Sequence, residues 1–176
     1  TKIVWSHHVG GTLLRVGNNP VTPPVQRCFG LELAPDDGPT LVGQTNTSDF
    51  PTTVGALKTA AAGATDTDDG FVTHFNSDGA VVWSTLVGGS KFDSPENLTT
   101  FAVDSSGNTF FVGQTQSLDF PVSAEAFQKQ NVSNDGYSGF LTKLNSTGSA
   151  VVYSTYLGAA DTEPTRRTTE PFGVTV

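Results

Sequence analysis

Hydrophobic and polar residues alternate along residues 139–158 (GFLTKLNSTGSAVVYSTYLG), on both sides of Ser146-Thr147-Gly148. Period-two alternation around a Gly-bearing turn predicts a β-hairpin. Residues 70–88 (GFVTHFNSDGAVVWSTLVG) carry the same pattern, and residues 3–11 (IVWSHHVGG) repeat its second half. Along residues 80–87 the apolar positions Val81, Val82, Trp83, Leu86 and Val87 nearly fill both faces. Such filling is expected of a sheet packed on both sides.

Ahead of each hairpin the pattern predicts two more strands. They are residues 29–33 (FGLEL) and 40–45 (TLVGQT), joined by the turn Pro35-Asp36-Asp37-Gly38. In the second half they are residues 98–103 (LTTFAV) and 109–115 (TFFVGQT), joined by Asp104-Ser105-Ser106-Gly107-Asn108. Residues 57–62 and 124–130 read as short helical turns. The offset of 70 residues from Phe50 to Phe120 recurs from Val82 to Val152. LVGQT…DFP and FVGQT…DFP stand at that same spacing, which marks an internal repeat and decides the fold class.

The expected fold is all-β: tandem four-stranded antiparallel β-meander repeats, propeller-blade-like. There are two complete units plus flanking partial strands. Residues 1–11 hold the closing strand of a partial unit, 12–89 the first unit and 90–158 the second. Residues 159–176 hold a linker and the first strand of a further partial unit, in which Phe172-Gly173-Val174-Thr175-Val176 echoes residues 29–33. Residues 12–28, with Asn18-Asn19-Pro20 and Pro23-Pro24, read as an ordered connection.

Composition agrees with many short strands and turns: 19 Gly, 10 Pro and no Met. A formal net charge of −8 with only 9 Lys and Arg argues against a nucleic-acid partner. No apolar run approaches the roughly 20 residues that cross a bilayer as a helix, so no membrane insertion is expected. A start at Thr1 rather than Met suggests a processed or excised product, and a removed secretion signal would account for it. Cys28 is the single cysteine and reads as a small buried apolar residue.

Residues 104–121 read D-S-S-G-N-x-x-x-V-G-x-T-x-S-x-D-F-P, followed by G-F-x-x-K-L-N-x-x-G from Gly139 and V-Y-S-T-Y-L-G from Val152. This combination resembles the SBBP family, the bacterial "seven-bladed β-propeller" repeat. Residues 36–51, 70–89 and 3–11 match it more loosely. The resemblance covers most of the chain outside 12–28 and 159–171. It implies a secreted or cell-surface protein and brings no shared catalytic residues.

Candidate chemistry is sparse. No G-x-S-x-G elbow is present, and no catalytic, metal or cofactor site is assigned. His7 and His8 would point to opposite faces of a strand, and His74 aligns with Lys143 at an expected surface position. Asp66-Thr67-Asp68-Asp69-Gly70 resembles a calcium loop but lacks the alternating third ligand and the distal Glu, so it reads as a solvated turn. Asp49 and Asp119 read as caps of their local turns, with Phe50 and Phe120 as core anchors. Gly43 and Gly113 suggest a bulge or close sheet packing. Asn46, Asn97, Asn131 and Asn145 are glycosylation sequons, and residues 161–171 (DTEPTRRTTEP) suit a linker or O-linked sugars. Trp5, Trp83 and Tyr153 occupy one repeated position. They serve packing between blades or, alternatively, glycan stacking.

The terminal segments 2–9 and 172–176 are strands without complete units, and exposed edges template pairing. Ile3, Val4, Trp5, Phe172, Val174 and Val176 are therefore the candidate assembly residues. The expected function is a non-enzymatic, secreted structural module that self-assembles through these strands into an extracellular or cell-surface filament or scaffold. Its partners are copies of itself. The alternative is a lectin-like, glycan-binding propeller module.

Overall fold

The computed structural model describes residues 4–13, 24–61, 68–94, 101–133, 136–158 and 175–176. The chain is all-β, in two antiparallel sheets. The first contains β1 (Gln26–Leu33), β2 (Pro39–Thr45), β3 (Asp69–Phe75) and β4 (Val81–Val87), paired in sequence order. The second contains β5 (Asp93–Ser94), β6 (Phe101–Val103), β7 (Thr109–Thr115), β8 (Ser138–Leu144) and β9 (Val151–Leu157). β5 and β6 both pair with β7, Asp93 opposite Thr115 and Phe101 opposite Phe111. They are two pieces of one edge strand, so each unit is a four-stranded meander.

Register explains how the sheets stack. Val42 faces Val72, and Thr40, His74 and Trp83 lie in one row across β2, β3 and β4. That face of the first sheet meets the opposite face of the second. Val42, Val72, Trp83 and Val87 pack with Phe111, Phe120, Phe140, Leu144 and Tyr156 in one core. The other face of the first sheet carries Phe71 and Leu86, joined by Phe50 and by Val9 from the N-terminal segment. Phe120 stacks on Phe140 as Phe50 stacks on Phe71, at centroid separations of 4.4 and 4.6 Å.

Several expectations are corrected. Residues 57–61 and 124–130 are turns, not helix. Their backbone groups serve the neighbouring strand instead of a helical ladder. The Thr53 N–H donates to the Ser84 carbonyl and the Leu86 N–H to the Lys58 carbonyl. In the second unit Ser123 donates to Ser154 and Tyr156 to Gln128 in the same way. Both loops thus cap the outer edges of β4 and β9, which therefore offer little template for another strand. Residues 4–9 are not in a strand; they lie against the first sheet, held by side-chain contacts. Cys28 is exposed rather than buried, on β1 at the edge of the first sheet. Opposite it, a Cβ on Gly43 would meet the Arg27 carbonyl and the Phe71 ring.

Tyr156 replaces the Leu86 of the first unit, and its hydroxyl donates to the Ser117 carbonyl while accepting from the Phe120 N–H. Tyr156→Phe leaves both groups buried without their partner. Urea unfolding should show a loss of about 1–3 kcal/mol. An unchanged midpoint would mean the hydroxyl does not hold the 117–120 turn.

Candidate functional site

The feature that recurs is the junction by which one unit grips the next. β3 and β4 are joined by the turn Asn76–Gly79, and β8 and β9 by Asn145–Gly148, each closed by the Asn carboxamide oxygen. Gly79 and Gly148 adopt φ of +85° and +64°, which disfavours any residue with a Cβ. A preceding aromatic ring lies against each: Trp5 on Gly79 and Trp83 on Gly148. The Trp5 indole N–H also donates to the Ser77 carbonyl at 3.1 Å. The Leu57 N–H reaches across to the Gly148 carbonyl at 3.0 Å.

A second contact accompanies each ring. The Thr12 and Leu13 N–H groups and the Thr12 hydroxyl donate to the Asp49 carboxylate at 2.8–2.9 Å. The Ser90 N–H and hydroxyl donate to Asp119 at 2.8 and 3.0 Å. Asp119 therefore clips the chain leaving the β3–β4 hairpin, and Asp49 clips the N-terminal segment in the same way, which corrects the local-cap reading. Gly11 and Gly89 are pressed against these carboxylates so closely that a Cβ would collide. Burial pushes both carboxyls up, but the donated hydrogen bonds outweigh it and hold them below the usual range.

Between the sheets lies a buried charge cluster. The Lys58 ammonium contacts Asp69 at 2.9 Å and the Gly88 and Gly89 carbonyls at 3.0 and 3.3 Å. The Asp93 carboxylate accepts from the Ser117 and Thr115 hydroxyls and from the Gly89 N–H. Burial pushes Asp93 up to about 7; its hydrogen bonds oppose the rise and the Asp69 charge adds to it. At the equivalent place in the first unit stands neutral Gln26, which donates to the Gly11 carbonyl.

His74 is buried rather than superficial, between the Thr40 hydroxyl at Nδ1 and Asp36 at Nε2. Its counterpart Lys143 pairs with Asp104 at 3.2 Å. Aligning the two repeats hides this shared role, because the acids stand at different places in the β1–β2 and β6–β7 turns. His7 and His8 line one cleft with Val9, Pro51 and Val81, since residues 4–9 do not alternate as a strand would. Among the described residues no group of three potential metal ligands is present. Asp69 of the calcium-like stretch is buried against Lys58, while Asp66 and Thr67 lie outside the described residues.

Of the sequons, Asn46 is buried and accepts from the Val25 N–H, which leaves a glycan no room there. The Asn131 side chain bonds Gly136, Ser133 and Ser138. The Asn145 side chain shapes its turn next to the exposed Ser146 and Thr147. Asn97, Ile3, Phe172 and Val174 lie outside the described residues, as does the 161–171 stretch; Val4 and Val176 are exposed. Trp83 is buried in the core between the sheets, so its ring is not open to a sugar.

The outer face of the second sheet repeats the gripping face of the first. Tyr153, Leu141 and Leu157 stand where Trp83, Val72 and Val87 stand, and Phe127 stands where Leu57 does. Trp83, Val72 and Val87 are buried, whereas Tyr153, Leu141 and Leu157 keep part of their surface and Phe127 is 84% exposed. The Phe127 N–H turns to the Tyr153 hydroxyl at 3.2 Å instead of to a following turn. No protein-family model and no curated protein matches the chain.

The Asp93 site carries a pH prediction. A folded value above the unfolded one stabilises below about pH 4, and that contribution is lost as pH rises through about 7. Asp93→Asn should remove this part of the pH dependence, so chemical unfolding at pH 5 and pH 8 should differ less in the variant than in the parent chain. Equal slopes in both would place the carboxylate outside the linkage.

Proposed function

We propose that the chain is a non-enzymatic structural module that assembles with copies of itself into an extracellular or cell-surface scaffold or filament. The observation that carries this reading is the outer face of the second unit, which holds the gripping residues of the first junction with part of their surface open. A face that meets a different face of the next copy is heterologous, and such contacts form rings or open filaments. Assembly through faces takes the place of the terminal-strand pairing expected from sequence: residues 4–9 lie against the first sheet outside any strand, and residues 172–174 lie outside the described residues. The secreted setting rests on the resemblance of residues 104–121 and 139–158 to SBBP repeats.

One observation favours the glycan-binding alternative. Phe127 is exposed and its N–H donates to the hydroxyl of the half-buried Tyr153, so two aromatic residues on which a sugar could stack lie near one another. A glycan-array signal lost in Tyr153→Ala would support it.

For the structural reading, sedimentation velocity over a wide range of concentration should show self-association. Phe127→Asp places a charge on the exposed face and should abolish association while leaving the thermal midpoint close to that of the parent. A parent chain that stays monomeric throughout, or a Phe127→Asp variant that associates as the parent does, would overturn it.

A further inference from the structure

Residues 4–13 occupy on the first unit the site that the end of β4 occupies on the second. Trp5-Ser6-His7-His8-Val9-Gly10-Gly11-Thr12 matches Trp83-Ser84-Thr85-Leu86-Val87-Gly88-Gly89-Ser90 position by position. Trp5 rests on Gly79 as Trp83 rests on Gly148, and Thr12 clips to Asp49 as Ser90 clips to Asp119. The two occupants differ in their backing. β4 arrives as part of a sheet, with its neighbours β3 and β2 filling the junction. Residues 4–9 belong to no strand.

The fit differs accordingly. Beneath His7, His8 and Val9 a cleft of about 230 Å³ remains, bounded by Pro51, Thr52, Thr53, Val81 and Ser84. At the sheet–sheet junction the counterparts of Thr52 and Val81, which are Val122 and Val151, pack against the core. Val4 is 91% exposed and Trp5 is 37% exposed, against 6% for Trp83. The N-terminal segment therefore holds its groove by the Trp5 ring and the Asp49 clip while leaving it incompletely filled.

We propose that residues 4–13 are a displaceable plug in the docking groove of the first unit, and that the β9 face of a second copy takes their place. The inference rests on the face-to-face assembly proposed above and names its occupant. Tyr153 of the incoming copy replaces Trp5 on Gly79. Leu157 replaces Val9 against Phe50 and Phe71. The Phe127 N–H exchanges the Tyr153 hydroxyl for the Gly79 carbonyl, as Leu57 uses the Gly148 carbonyl. Each copy then presents one gripping face and one groove, and the groove opens only when its own segment leaves. The affinity between copies is reduced by the fraction of time the plug is seated.

The test uses the full chain and its Trp5→Gly variant in sedimentation velocity, with a synthetic peptide of residues 1–13 as competitor. Trp5→Gly loosens the plug and should lower the concentration needed for association by about tenfold. Excess peptide should drive the variant back to monomer. Should Trp5→Gly perturb the fold, seen as a lowered thermal midpoint, the peptide added to the parent chain gives the same discrimination. Association that ignores both Trp5→Gly and the peptide, yet is blocked by Phe127→Asp, overturns the plug and leaves face-to-face assembly standing. Absence of association in every variant overturns both.

Discussion

An aromatic ring on a left-handed glycine turn is the contact from which the rest of this structure follows. Gly148 has no Cβ, so the Trp83 ring can approach the β8–β9 turn at a distance no other residue would permit. That approach sets the separation of the two sheets. The remaining core side chains, from Val42 and Val72 to Phe140 and Tyr156, fill the space so defined. Trp5 and Gly79 make the same contact without a second sheet behind it. The carboxylates of Asp49 and Asp119 then fix the lateral position, because hydrogen bonds to backbone N–H groups are directional where apolar contact is not.

Sheets can grow by edges or by faces, and this chain treats the two differently. The outer edges of β4 and β9 are closed by the loops that follow each Asp-Phe-Pro, with matching hydrogen bonds in both units. The faces continue the pattern of the repeat: Tyr153, Leu141 and Leu157 on the second unit stand where Trp83, Val72 and Val87 of the first are buried in the junction. A repeat array is a sum of such nearest-neighbour contacts, so its terminal units carry the unmatched surface.

The polar interior varies more than the apolar one. Gln26 and Asp93 fill one structural position, one neutral and one a buried carboxyl raised by its surroundings. Lys58 and Asp69 form an ion pair where Gln128 and Ser138 stand in the second unit. Gln128 accepts from the Gly158 N–H, while the Lys58 ammonium donates to the carbonyls of Gly88 and Gly89. The requirement common to both is that the backbone around the hairpin exit be hydrogen-bonded; ionised and neutral side chains meet it equally well.

The local pattern was enough to establish the repeat, the two hairpins, the strands 40–45 and 109–115 and the core roles of Phe50 and Phe120. Period-two alternation and turn glycines are properties of neighbouring residues, so they can be read without coordinates. The partners of Asp49, Asp119, His74 and Lys58 were not legible, because each lies on a different element and its contact depends on how the elements stack. The same holds for residues 57–61 and 124–130, whose composition suggested helix until the edges of β4 and β9 claimed their backbone groups. Sequence alone determined what each unit is made of. Only the tertiary structure decided that the units grip by their faces, since the register between sheets comes from the shapes of side chains far apart in the chain.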